Sequence, residues 1–191
     1  IITANITGTL ADGVTAGGGF DKVGSGRLVL NPSVASTYAG STNIAGGELV
    51  ARGSSSPLGT AAGNTVVGNG FSLLIDNSNS AEPLNITGVG FGGEGAVRSV
   101  SGTNTWSGDV TLAGASTVSV DDSGNPAHRL ILSGAVIMGG NNFSKLLPGT
   151  LQFAGTTANT GTGTTKITEG TLELNKTPGV NAIPFRVEVG D

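Results

Sequence analysis

The chain contains no cysteine, and its 191 residues include only six Phe, one Tyr and one Trp. Without cysteine there can be neither disulfides nor thiolate metal sites. A compact core is usually filled by aromatics and leucine, so this chain must bury its apolar surface in many thin layers. Charge is also scarce. Nine Lys and Arg face thirteen Asp and Glu, a net charge of −4 with a pI near 4.8, and no basic cluster occurs. A nucleic-acid partner, which needs a basic stripe to neutralise phosphates, is therefore not expected. The longest apolar run, Leu130 to Met138, is interrupted by Ser133 and Gly134. That is far too short to span a bilayer, so membrane insertion is not expected either. No long stretch of period 3.6 free of glycine exists, which argues against helices. The chain opens on Ile1 and reads as a processed product or an excerpt.

What is present is glycine (34 residues), aliphatic Val, Leu, Ile and Ala, and polar Thr, Ser and Asn. β-Branched residues punctuated by Gly, Asn and Ser favour strands and turns. A mean hydropathy of +0.15 with 12% charged residues separates the chain from disordered sequences. No Gly-X-Y period marks it as collagen-like.

Internal repetition is the most specific signal. Gly26-Arg27-Leu28-Val29-Leu30 lies over Gly149-Thr150-Leu151-Gln152-Phe153 at an offset of 123 residues. The same offset brings Gly40 to Gly163, Thr42 to Thr165, Ile44 to Ile167, Gly47 to Gly170 and Leu49 to Leu172. With one residue deleted, Val67-Gly68-Asn69 falls on Val189-Gly190-Asp191. A weaker copy runs from Gly95 to Leu112, with Trp106 in the place of Tyr38 and Gly108 in that of Gly40.

Within each copy, short runs alternate with period two: Leu28 and Leu30, Val110 and Leu112, Val118 and Val120, Leu172 and Leu174. The runs recur too closely for crossover helices. An antiparallel sandwich does not require distant segments to resemble each other. A parallel β-solenoid, which stacks like on like, does. The sequence therefore predicts an all-β parallel β-helix. About eight coils of roughly 20–25 residues, some 4.8 Å apart, would make a rod roughly 40 Å long. Glycine is expected where the backbone turns with positive φ or where coils approach closely. Residues 1–19 read as an N-terminal strand and Gly-rich linker, and 20–191 as solenoid, with copies at about 20–70, 90–122 and 143–191.

The unit from Gly24 and Gly26 through Leu28, Leu30, Tyr38, Gly40, Thr42, Ile44, Gly47, Leu49 and Val50 resembles the autotransporter-associated β-strand repeat, also called the passenger-associated transport repeat. Ser101 to Gly108 looks like its central turn, and Asn175 to Pro184 like the spacer that often follows it. The resemblance covers most of residues 20–191. It implies a right-handed parallel β-helix and an extracellular or cell-surface, bacterial setting.

Candidate chemistry is sparse. His128, the single histidine, has no G-x-S-x-G elbow to serve and reads as a loop residue. Asp121-Asp122-Ser123-Gly124-Asn125 faintly resembles a calcium loop, but it lacks the bidentate Glu and reads as a turn. Asp76, Glu94, Asp109 and Glu173 are scattered singly, with no acid–base pair for glycoside chemistry. Tyr38 and Trp106 could present rings to glycans, though packing over a turn is the better reading. No enzyme, cofactor or metal site is expected.

The ends are more suggestive. Ile2, Ala4, Ile6, Gly8 and Leu10 alternate with polar residues and form either the first strand of the solenoid or a donor strand for a neighbouring subunit. Phe185 to Asp191, with Val187 and Val189, reads as a strand at the other end. Open solenoid ends need caps, and no polar cap is evident. Self-association is therefore assigned to Ile2, Ala4, Ile6, Leu10, Phe185, Val187 and Val189. The expected role is a structural subunit of an extracellular fibre, matrix or surface stalk. Its partner would be itself, as a homopolymer or as neighbouring repeats of a longer chain. The alternative is an autotransporter-type adhesin passenger that binds host or glycan surfaces.

Overall fold

A computed structural model describes residues 2–15, 17–53, 56–122, 124–125 and 127–190. Their named strands all pair in parallel. Among these residues there is no α-helix, only a 3-10 turn at Phe91–Gly93. Among the described residues no helix is long and apolar enough to cross a membrane.

The alternation read from the sequence becomes columns of stacked side chains. In the first sheet, Ala4, Leu28, Leu49, Leu73, Val97, Val118, Lys145, Ile167 and Val189 lie one above another. Eight coils of 21 to 27 residues separate these nine positions. The longest, from Val118 to Lys145, carries the loop that contains Asp121 and His128. A second sheet stacks Phe20–Lys22, Thr42–Ile44, Thr65–Val67, Leu84–Gly88, the start of Val110–Val120, and Val136–Ile137. The third joins Thr103–Trp106, Arg129–Leu132, Thr150–Gly155 and Thr171–Lys176. Thr3–Ile6 pairs with Arg27–Leu30 as the first rung, so the N-terminal strand lies on the stack here.

One continuous apolar core runs inside the three sheets, from Leu30, Ile44 and Leu49 through Ile86 and Val97 to Phe143, Leu151 and Phe153. Phe143 and Phe153 meet edge to face with ring centres 5.5 Å apart. Each layer buries only a few aliphatic groups, worth ~1.5–3 kcal/mol apiece, so stability must sum over neighbouring coils.

The 123-residue register is a register of contacts as well as of residue types. A Cβ at Gly47 would collide with the Gly26 carbonyl, and one at Gly170 would strike the Gly149 carbonyl. Both glycines have positive φ, 52° and 74°. The two copies nevertheless occupy different sheets. Leu28 and Leu30 lie in the first sheet, whereas Leu151 and Phe153 lie in the third. Five coils counted from Leu28 end at Lys145, and Leu151 follows one side later. The second copy is therefore turned by one face relative to the first.

Candidate functional site

Extending the register backwards from Gly26 uncovers a feature the sequence reading missed. Phe20 and Lys22 lie over Phe143 and Lys145 at the same 123-residue offset. Both lysines point into the coil, Lys22 stacked on Ile44 and Lys145 on Ile167. Lys22 Nζ donates to the carbonyls of Val23 (2.9 Å), Gly24 (2.8 Å) and Gly46 (2.8 Å). Lys145 Nζ donates to those of Leu146 (3.0 Å), Leu147 and Glu169 (3.0 Å). Three acceptors match the three donors of an ammonium group. Each lysine thereby ties its own turn to the corner of the next coil. Gly24 and Leu147, equivalent in the two copies, both have positive φ. Burial pushes Lys145 down to about 8, with Glu169 acting in the opposite direction. It lowers Lys22 as well, against the pull of Glu48. These lysines are structural clamps, and their signal was available in the repeat.

The interior also holds Tyr38, whose hydroxyl lies 2.5 Å from Thr42 Oγ1, and Trp106, whose Nε1 donates to the Glu82 carbonyl at 2.6 Å. Both rings are buried, so neither is offered to a glycan. Glu82 is buried beside them, one oxygen accepting from Thr65 Oγ1 at 2.7 Å and the other with no partner among the described residues. Burial pushes its carboxyl up to about 7. No sequence pattern singled out Glu82.

His128 follows a turn, but its side chain enters the interior, with Nε2 3.2 Å from Ser99 Oγ. Its Nδ1 has no partner among the described residues, and burial lowers its basicity. Ser99 also accepts from Asn104 Nδ2 at 2.7 Å, so the pair belongs to a buried polar ladder. The acidic segment behaves as turns: Asp121 takes the Arg98 guanidinium, Asp122 Oδ1 accepts from Gly124 N, and Asn125 Oδ1 from Ala127 N. Its Ser123, and Pro126 beyond it, lie outside the described residues. Asp76 pairs with Arg52, Glu94 with Arg98 and Glu173 with Arg129, while Asp109 accepts from Ala135 N. Among the described residues no three metal-ligating side chains gather.

The residues assigned to self-association fall at the two ends of the stack. Ile2 is 85% exposed, and with Ala4, Phe20, Val23 and Leu28 it lines an apolar hollow of about 360 Å3. Ile6 and Leu10 are half-buried against the core, and Leu10 O accepts from Thr37 N at 2.8 Å. At the opposite end Val187 and Val189, with Ile167, Leu172, Leu174 and Ile183, line a second hollow of about 310 Å3. Val189 is 81% exposed and Phe185 64%.

A stack of parallel coils with aliphatic columns inside, carbonyl clamps at its corners and hollows at both ends defines a parallel β-solenoid repeat protein. Two segments, residues 20–51 and 148–174, match the family model described as passenger-associated-transport-repeat. Those segments fall within the first and last copies in the sequence, 20–70 and 143–191, and the copy at 90–122 lies outside them. Neither the curated proteins nor the solved structures hold a match to this chain.

Proposed function

We propose that this chain is a non-enzymatic structural segment of an extracellular β-solenoid fibre, matrix or surface stalk. In this reading, each end of the described stack is continued by strand pairing with another coil, of a second copy or of the same polypeptide. The observation that carries it is the pair of uncovered columns, with Ile2 and Val189 both more than four-fifths exposed. A terminal rung that shows unpaired backbone groups beside apolar side chains is a template for further strands. The match of two segments to a passenger-associated-transport-repeat model supports a surface or secreted setting. The absence of an enzymatic role is supported by the engagement of Asp76, Glu94, Asp109 and Glu173 in ion pairs or backbone contacts.

The test is assembly of the purified chain, followed by light scattering and electron microscopy as concentration rises. Linear particles should form, and Val187→Asp with Val189→Asp should keep the chain monomeric without lowering its melting temperature. Assembly unchanged by those substitutions, and by deletion of residues 1–19, would sink the end-to-end reading.

A further inference from the structure

The outward face of the first sheet is not a plain solvated surface. Val29, Val50 and Leu74 point away from the core yet are only 3–4% exposed, and with the half-buried Val100 they form an apolar cluster separate from the interior. They floor a groove of about 420 Å3. Its walls are Arg27, Arg52 and Arg98, three of the five arginines of an acidic chain, and no carboxylate lines it. Thr3 and Asn5 close one end.

The geometry points to this groove as a binding site for an acidic saccharide, a uronate-type sugar of one or a few rings. The main-chain groups of these strands are engaged in ladders with the coils above and below, so a ligand here must be read by side chains alone. The floor is too little exposed to hold a lipid tail or an apolar peptide, which need a large apolar contact. What the groove offers is narrow aliphatic contact, hydroxyl and amide groups, and guanidinium forks. A sugar acid presents a C–H ring face, hydroxyls and a carboxylate, which match those three in turn.

The arginines are held from behind. Glu48 takes Nε and Nη2 of Arg27, leaving Nη1. Asp76 takes Nε of Arg52, whose two Nη groups have no partner among the described residues. Arg98 is fully engaged by Asp121 and Glu94 and acts as a fixed wall. Arg52 thus supplies the free fork, already oriented, which lowers the ordering penalty of binding. Four carboxylates, Glu48, Asp76, Glu94 and Asp121, face the three arginines, so the groove has no net positive charge and short-range hydrogen bonding carries recognition here. The site does not depend on the structural role proposed above.

The experiment titrates the full chain with a galacturonic acid trimer and watches backbone amide shifts. Saturable shifts are expected at residues 27–30, 48–52 and 72–76, with the neutral galactose trimer bound at least about tenfold more weakly. Arg52→Gln should weaken binding by about tenfold or more at unchanged melting temperature. Arg52→Lys, which keeps the charge but not the fork, should fall well below the parent chain. Arg186→Gln, at the other end of the stack, should bind like the parent. Equal binding of the neutral trimer, shifts confined to the solenoid ends, absence of saturation, or indifference to both Arg52 variants would each overturn the assignment.

Discussion

Glu82 and Lys145 show how single ionisable groups act inside a solenoid. Glu82 is 2% exposed, and its folded-state carboxyl titrates near 7 against an ordinary value of 4.5. The folded chain therefore holds an extra proton between those values, and stability falls as pH rises through that window. The contribution is fully present below 4.5 and lost above about 7. Melting temperature should be higher at pH 5 than at pH 8, and Glu82→Gln should flatten that difference by raising the value at pH 8. A profile unchanged by Glu82→Gln would remove the carboxyl as its source. Lys145 carries the complementary prediction. Lys145→Met keeps the length of the side chain but abandons three carbonyls, a loss of about 3 kcal/mol or more, read as a shift of the urea midpoint. The lysine clamps were legible, because both copies place Lys two residues before the repeat's turn position. Glu82 was not, because its partner Thr65 lies 17 residues away and its burial comes from the coils stacked on either side.

Strands and turns were the most legible elements. Period-two runs such as Leu28-Val29-Leu30 and Leu151-Gln152-Phe153 become rungs because one face of each strand must leave water. The turns that join them depend on glycine for two reasons, left-handed backbone and close approach. Gly47 combines both, with φ 52° and the Gly26 carbonyl where its Cβ would lie. Gly47→Ala should destabilise the chain by on the order of 3 kcal/mol, and Gly170→Ala likewise. Gly13→Ala, where a Cβ meets nothing within 4 Å, should leave the urea midpoint within about 0.5 kcal/mol of the parent. Equal effects at Gly13 and Gly47 would contradict the stacking contact. The outer groove was not legible at this scale. Its walls come from Arg27, Arg52 and Arg98, at unlike positions on three rungs, and no spacing rule joins them.

The whole molecule is a sum of nearest-neighbour layers, so removing the last coil, residues 168–191, should leave the rest folded. The urea m-value should fall by about one-eighth, since it scales with the surface exposed on unfolding. Loss of all cooperative unfolding would show instead that the last coil holds the earlier ones together. At this scale the amino-acid sequence by itself determined the fold class and the number of coils. Period-two alternation and a register of like residues are one-dimensional properties that stacking converts directly into layers. Tertiary structure alone decided which face each copy occupies. Any side of the coil accepts the same short strand at the same inter-strand spacing, so the repeat can begin at any corner, and the intervening coil lengths set its phase. They turn Leu151 onto the third sheet while Leu28 stays on the first. The same stacking brings Val29, Val50 and Leu74 together beneath arginines from three rungs, because lateral neighbours in a solenoid are more than twenty residues apart in the chain.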